Sequence, residues 1–221
     1  LKEKVERVVE QKNVMLEHMY HKPLIDAKEL LETLHQYRDM VEPFVADVST
    51  ILNGYYSDAS RMFAIGKISE RAEKLLKVTK ECVELGLAAA KPWGHLGDIA
   101  DAINSHAKAN GYSVVEEIGG HGIGLEFHEE PFVCFVAPKG TEMVLVPGMM
   151  FTIEPMINEG SPDFFIDEDN GWTVYTEDDG LSAQIEYMVL VTEDGCQNLT
   201  SVDFSQFDSS KVTNMRFLFY Y

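Results

Sequence analysis

The stretch DVSTILNGYYSD, residues 47–58, places two runs of strand-forming residues on either side of Asn53-Gly54. Asn-Gly between apolar runs is the strongest short-range indication of a β-hairpin with a two-residue turn. Such a turn fixes the register of the two strands, so that Asp47 faces Ser60. Asp58 lies two residues before Ser60 on the same strand. We therefore expect it on the face that carries Asp47, about 7–8 Å away as a diagonal neighbour.

Two aspartates on one sheet face need something that neutralises them. Like charges at such positions destabilise a sheet, and two metal ions about 3.5–4 Å apart would remove the repulsion. The alternative is a solvated face on which both acids only contribute solubility. Ile51, Tyr55 and Met62-Phe63 indicate that the sheet is covered, which favours a metal site.

Single acids also occur inside two otherwise apolar strands. Glu154 lies in MMFTIEPMI, residues 149–157, and Glu186 lies in SAQIEYMVLV, residues 182–191. An isolated buried carboxylate is costly, so each should be paired, protonated or bound to a metal. Either acid by itself could instead be an edge charge that discourages aggregation.

The stretch GGHGIGLEFHEEPFV, residues 119–133, supplies two histidines. Glycine lets the backbone turn tightly and approach a ligand closely, so His121 is expected to be presented rather than packed. Taken alone, a glycine-rich turn with His121 and His128 on the surface explains this stretch equally well, because the spacing is only weakly typical of a metal site. Together with the four acids, His121 makes a set of five hard ligands that suits Mn, Fe, Co or Zn: Asp47, Asp58, His121, Glu154 and Glu186.

The chain as a whole divides into helices followed by strands. Helical periodicity covers residues 1–21, 26–41, the segment from Ser69 to Lys91-Pro92, and the segment from Leu96 to Asn110-Gly111. Short apolar segments between Gly, Pro or acidic turns predict strands at residues 113–118, 131–136, 143–146, 149–157, 172–176 and 183–192. Helices followed by a mostly antiparallel sheet indicate an α+β fold.

The composition is that of a globular protein with 45% apolar and 25% charged residues. A formal charge of -19, from 37 acidic and 18 basic side chains, argues against nucleic acid or an anionic membrane as a partner. No segment resembles a signal peptide or a spanning helix of about 20 apolar residues. The three cysteines lack a CxxC pair, so we expect free thiols in a reducing, cytoplasmic setting.

The order of these motifs resembles the dinuclear metallopeptidases of the pita-bread fold: Asp47 and Asp58, then GHGIG, FHEEP, FTIEP and an apolar strand with QIE. Three segments resemble the type 1 methionine aminopeptidases closely, namely KPWGHLGD (91–98), PGMMFTIEP (147–155) and WTVYTED (172–178). The resemblance covers about residues 47–196. The related X-Pro peptidases share the five ligands and a GLE-H-E string, but they lack the Trp-Thr-x-x-Thr motif.

The resemblance implies that two divalent metal ions, Co, Mn, Fe or Zn, are bound by the five ligands. Asp58 and Glu186 would bridge the ions, with Asp47 as a further ligand. His121 and Glu154 would each bind one ion. A hydroxide between the ions would be the nucleophile, because metal ions lower the pKa of water from 15.7 to about 7.

The resemblance also implies roles around the substrate. His128 would contact the scissile carbonyl and stabilise the tetrahedral intermediate. Glu154 would take a proton and pass it to the leaving amine. Phe127 and Trp172 would line the pocket for a methionine side chain.

These roles describe a cytoplasmic, monomeric aminopeptidase that removes the initiator methionine from a peptide or nascent polypeptide. One alternative is a metal-binding remnant of the fold that has lost catalysis, and another is an X-Pro peptidase. The fold expected from the resemblance is the pita-bread fold with its N-terminal half incomplete, since only 46 residues precede Asp47 where the family has about a hundred.

The sequence departs from the family in three places. The expected His-Gly-Ile-Pro segment is not found, and position 187 is Tyr where the family pattern leads us to expect His. The last residues resemble one unit of a bacterial surface repeat, Phe-Asp-x-Ser-x-Val-Thr-Asn-Met. We therefore expect a helical segment at 1–43 that does not match the family, a catalytic domain at 44–200 and an unrelated tail at 201–221, as in a truncated or rearranged chain.

Overall fold

The computed structural model describes residues 44–64, 67–171, 173–200 and 215–218. The helices in these ranges are α1 (Glu70–Ala89) and α2 (Leu96–Ala109). The strands are β1 (Phe44–Leu52), β2 (Tyr55–Phe63), β3 (Ser113–Val114), β4 (Gly120–Gly122), β5 (Glu129–Val133), β6 (Met150–Ile153), β7 (Met156–Asn158), β8 (Phe164–Ile166), β9 (Val174–Thr176), β10 (Ser182–Gln184), β11 (Glu186–Val191), β12 (Cys196–Asn198) and β13 (Met215–Leu218). The α+β class is confirmed, and the helices predicted at 1–21 and 26–41 lie outside the described residues.

The hairpin of β1 and β2 has the register that the sequence predicts. Asn53 and Gly54 adopt the positive φ angles of a tight hairpin turn, 53° and 85°. Leu52 then pairs with Tyr55, and Asp47 pairs with Ser60. Because side chains alternate between faces along a strand, this register brings both aspartates of the hairpin to one face.

The largest sheet in the described part of the chain has eight strands. Seven follow one path in the order β13-β1-β2-β11-β6-β4-β5. The eighth, β12, pairs with residues 189–191 of β11, beyond the two residues of β11 that pair with β2. All pairings of the sheet are antiparallel. Strand β11 lies at the centre and is buried along most of its length, so an acid at its start is placed between the hairpin and β6.

Helices α1 and α2 begin and end at the positions that the sequence indicates. The Ser69 hydroxyl caps α1 by accepting a hydrogen bond from the Ala72 N–H at 3.3 Å. After α2, Gly111 takes the left-handed conformation that ends many helices, with φ of +84°. Both helices share one core with the large sheet, and its fully enclosed members include Val83, Ile99, Ile103, Phe151, Ile153 and Val189.

A three-stranded sheet, in the order β10-β7-β3, and a hairpin of β8 and β9 complete the described fold. Ser182 of β10 and Ser113 of β3 both pair with Asn158 of β7. Since side chains alternate along strands, Met156 and Asn158 share one face of this sheet while Ile157, which is fully buried, points to the core.

Four predicted strands differ from the structure. The strand predicted at 113–118 is limited to β3, and the segment predicted at 183–192 is two strands, β10 and β11, that flank Ile185. Residues 143–146 do not form a strand: only Val144 makes an isolated bridge, to His95, because this segment hydrogen-bonds the loop before α2. The segment predicted at 149–157 is two strands, β6 and β7, that flank Glu154-Pro155. Proline has no N–H to donate to a ladder, which is consistent with this break.

Strand β13 pairs with the edge of β1, with Leu218 opposite Asp47 and Met215 opposite Thr50. Four residues of the segment that we expected to be an unrelated tail thus extend the large sheet. The division at residues 43 and 201 stays a prediction. Among the described helices, neither is apolar enough over sufficient length to cross a membrane.

Candidate metal centre

A cavity of about 530 Å³ opens beside the large sheet. Its wall contains every predicted site residue that the structure describes: Asp47, Asp58, His121, Phe127, His128, Glu154 and Glu186. Trp172 lies outside the described residues. The structure therefore brings seven predicted residues, from four separate stretches of the chain, to the wall of one cavity.

Strand register positions three of the acids. Ser60 of β2 pairs with Asp47 on one side and with Glu186 on the other. Asp58 lies two residues before Ser60 and so shares its face. The side chains of Asp58 and Glu186 are enclosed, with only 4% and 3% of each residue exposed.

His121 reaches the same space from β4. An added Cβ at Gly120 or at Gly122 would overlap the backbone carbonyl oxygen of a neighbouring segment, of Thr152 and of Glu130 respectively. Glycine on both sides of His121 therefore lets β4 fit between its neighbours, and the histidine is held in a strand rather than in a loose turn.

The His121 ring is oriented for binding through Nε2. Its Nδ1 lies 3.0 Å from the Gly122 carbonyl oxygen, which requires the proton to be on Nδ1 and leaves the Nε2 lone pair free. Nε2 faces Glu154 Oε1 at 3.5 Å and Asp58 Oδ2 at 3.9 Å. Burial is the main cause that lowers the pKa of His121 below 6.5, so the neutral ligand form is favoured.

Glu154 follows β6 and is held by two hydrogen bonds. The Thr152 hydroxyl donates to Oε1 at 2.6 Å, and the Gln184 side-chain amide donates to Oε2 at 3.1 Å. The Thr152 hydroxyl also accepts a bond from the His121 N–H at 3.0 Å. One threonine thus connects the strand of the histidine to the glutamate that faces it.

Burial makes the ionised forms of these acids unfavourable in the absence of cations. It raises the pKa of Asp47 from 3.8 to about 7, with the Asp58 charge as the next cause, and that of Asp58 from 3.8 to about 6. Burial, followed by the charges of Asp58 and Asp47, raises the pKa of Glu154 from 4.5 to about 8. The pKa of Glu186 is raised well above 4.5, chiefly by burial and then by Glu154.

This donor set fits divalent metal ions. Ligand atoms of Asp58, His121 and Glu186 all lie within 4.8 Å of one another. Within the described ranges, no lysine or arginine forms an ion pair with the four acids, and Asp58 and Glu154 face the neutral His121 ring. The Oδ1 atom of Asp47 is buried without a hydrogen-bond partner. Two enclosed and two half-buried carboxylates with one imidazole and an unused carboxylate oxygen are suited to bind cations, and the hard ligands suit divalent metals.

His128 and Phe127 lie on the other side of His121, in the loop between β4 and β5. The His128 ring meets the His121 ring edge-on, with centroids 4.3 Å apart, and the Phe127 ring lies 4.4 Å from His128. His128 is exposed and Phe127 is half-buried. Both side chains therefore face the open part of the cavity rather than the group of acids.

The sequence interpretation missed four side chains that support the acids: Ser49, Thr152, Gln184 and Arg61. Thr152 lies two residues before Glu154 in the sequence, and this spacing of two could have indicated it. The Arg61 guanidinium donates to the carbonyl oxygens of Ser60 and Glu186 at 2.7 and 2.8 Å.

Arg61 also explains how the structure accommodates the tyrosine at position 187. Its guanidinium carbon lies 4.7 Å from the centre of the Tyr187 ring, which is a cation–π contact. An aromatic ring at this position therefore packs against the arginine that holds the backbone of Glu186.

Residues 4–193 match metallopeptidase family M24, and the chain belongs to this family. The curated relatives that it resembles are methionine aminopeptidases. Methionine aminopeptidase A of Synechocystis sp. (strain ATCC 27184 / PCC 6803 / Kazusa) is 51% identical over 154 residues, which are 70% of this chain and 60% of the relative. The methionine aminopeptidase of Escherichia coli (strain K12) is 46% identical over 154 residues, 70% of this chain and 58% of the relative.

Solved structures of methionine aminopeptidases also resemble this chain. The methionine aminopeptidase from Rickettsia prowazekii superposes with a TM-score of 0.70 at 42% identity, covering 72% of this chain and 64% of that chain. The prolidase from Pyrococcus furiosus superposes with a TM-score of 0.57 at 28% identity, covering 73% and 42%. The pita-bread fold and the resemblance to methionine aminopeptidases are confirmed. The chain spans about 60% of the length of the curated relatives that it matches.

Proposed function

We propose that this protein is a metal-dependent aminopeptidase that removes methionine from the N-terminus of a polypeptide. The observation that carries the proposal is the convergence of Asp58, His121 and Glu186, whose ligand atoms lie within 4.8 Å of one another at the wall of a cavity. The similarity to methionine aminopeptidases supports the choice of substrate. We infer a monomer that acts on nascent chains in the cytoplasm.

In this proposal each of the five predicted ligands has a role in binding the metal ions. Asp58 and Glu186 lie on adjacent strands at the most enclosed part of the site and would be shared between two divalent ions, Co, Mn, Fe or Zn. Asp47 would complete the ligand set of one ion. His121 and Glu154 would both bind the other ion, or each would bind a different ion. When bound, the ions would supply a water of lowered pKa and polarise the scissile carbonyl.

Glu154 is suited to carry a proton during the reaction. The hydrogen bonds from Thr152 and Gln184 fix both of its oxygens. Burial raises its pKa to about 8 in the metal-free protein, whereas bound cations would stabilise the ionised carboxylate that accepts the proton. A glutamate held in this way can take a proton and return it to the leaving amine without moving far.

His128, Phe127 and Trp172 would form the substrate side of the site. His128 is exposed to the cavity at the far side of His121, where it could donate a hydrogen bond to the scissile carbonyl oxygen. Phe127 contacts it and also lines the cavity, which suits an apolar methionine side chain. Trp172 is assigned to the same wall on the resemblance alone.

The test is release of methionine from a Met-Ala-Ser peptide by the purified chain with Mn(II) or Co(II). N-acetylated Met-Ala-Ser is the matched control, since an aminopeptidase requires a free amine. We expect turnover of the free peptide only, and loss of turnover in chelator. Absence of hydrolysis with every divalent metal would refute the proposal.

The same experiment separates the two alternatives. Metal binding by calorimetry without hydrolysis of any peptide would indicate a remnant of the fold that has lost catalysis. Faster hydrolysis of an Ala-Pro peptide than of Met-Ala-Ser would indicate an X-Pro peptidase. The greater similarity to methionine aminopeptidases than to the prolidase, 42% against 28% identity over similar shares of this chain, favours methionine removal.

A further inference from the structure

Hydroxyl groups accompany the acids of the candidate metal centre. Ser49, which pairs with Asp58 across the hairpin, donates from Oγ to Asp58 Oδ1 at 3.2 Å. Thr152 donates in the same way to Glu154 Oε1 at 2.6 Å. In both cases the hydroxyl of a short side chain on the sheet holds one carboxylate oxygen by a hydrogen bond.

Ser60 is a third hydroxyl in an equivalent place. It pairs with Asp47 of β1 and with Glu186 of β11, so it lies between two acids on one sheet face. Directly paired residues have Cβ atoms about 4.5–5.5 Å apart, within reach of a short side chain. Only 1% of Ser60 is exposed, which excludes bulk water as a partner for its hydroxyl.

The Ser60 hydroxyl nevertheless lacks a partner. Three buried side-chain atoms have no hydrogen bond within the part of the chain that the structure describes: Ser60 Oγ, Asp47 Oδ1 and Asn158 Oδ1. The first two belong to residues that face each other across β1 and β2. A buried donor and a buried acceptor left unpaired at one cross-strand position are unfavourable, and a hydrogen bond between them would satisfy both.

We propose that Ser60 is a positioning residue of the metal centre, whose hydroxyl donates a hydrogen bond to Asp47 Oδ1 when Asp47 binds a metal ion. A metal-bound carboxylate is ionised and can only accept hydrogen bonds, and Ser60 is the donor placed opposite it. Supporting bonds of this kind orient ligands and strengthen metal binding. The inference rests on the proposed metal centre and not on the identity of the peptide substrate.

The experiment compares Ser60→Ala with the wild-type chain in two states. In chelator we expect an equal or higher melting temperature, because the substitution removes an unpaired buried hydroxyl. By calorimetry with Mn(II) we expect metal affinity to fall about 10-fold or more, the effect typical of removing a supporting bond. Metal affinity should therefore fall without any loss of melting temperature in chelator.

Ser57→Ala is the matched control. Ser57 lies on the same strand but on the opposite face, where its hydroxyl lies 2.5 Å from Thr50 Oγ1. It should leave Mn(II) affinity unchanged. Wild-type Mn(II) affinity in Ser60→Ala, or an equal loss of melting temperature with and without metal, would overturn the proposal. Wild-type metal binding without peptide hydrolysis would refute the proposed activity while leaving the Ser60 comparison decisive.

Discussion

Raising the pH should destabilise this protein when its metal ions are removed. The four acids of the site have raised pKa values because they are buried together, so the folded chain holds protons that the unfolded chain releases. A group of this kind contributes its full stability below its unfolded pKa of about 4. That contribution is lost as the pH rises through the folded pKa.

The size of the effect follows from Glu154. Its pKa rises from 4.5 to about 8, and at about 1.4 kcal/mol per pH unit this corresponds to roughly 4–5 kcal/mol of unfolding free energy. For a chain of 150–250 residues, 1 kcal/mol moves the melting temperature by about 2–4 °C. We therefore expect a fall on the order of 10 °C between about pH 5 and about pH 8.5.

The assay is thermal unfolding in chelator over this pH range, repeated with saturating Mn(II). Bound ions should reverse the trend, because ligands must lose their protons to bind a metal. Glu154→Gln, which cannot ionise, should show a smaller fall in chelator than the wild type. A melting temperature that stays constant or rises with pH in the metal-free protein would show that the acids are not held in the protonated form.

Three substitutions test other parts of the structure. Glu186→Gln should remove at least one metal from the stoichiometry measured by calorimetry, and unchanged metal binding would refute the shared-ligand role. The control is Glu193→Gln, on an exposed turn, which should change stability by no more than about 0.5 kcal/mol. Gly122→Ala should lower unfolding free energy by about 1–3 kcal/mol or more because the new Cβ overlaps Glu130, and Gly195→Ala, with open space around it, should not. His128→Ala should lower kcat roughly 100-fold at unchanged metal stoichiometry, and loss of a metal instead would make it a ligand.

The main features of the site could be predicted because each one is encoded locally. Asn53-Gly54 sets the hairpin register, and that register alone brings Asp47 and Asp58 to one face. Glu154 and Glu186 are recognisable because a lone acid in an apolar strand must have a partner. The order of these motifs then matched a known arrangement, which supplied the roles.

The hydrogen bond from Gln184 could not be predicted because it depends on a contact between distant segments. Gln184 reaches Glu154 only because β10 pairs with β7, and neither segment encodes that pairing by itself. The segment at 143–146 has the composition of a strand, yet its backbone groups bond to the loop before α2. Apolar composition indicates that such a segment is enclosed, but not which neighbour takes its hydrogen bonds.

The dispersed origin of the ligands has a consequence for how the protein is made. Asp47 and Asp58 are synthesised before Glu186, which lies at the start of β11, the strand between the hairpin and β6. Closing contacts between such distant segments is entropically costly and slow. A partly synthesised chain therefore lacks part of the predicted ligand set, and the predicted metal site is complete only after the docking of β11. Metal retention can thus serve as a measure of correct assembly.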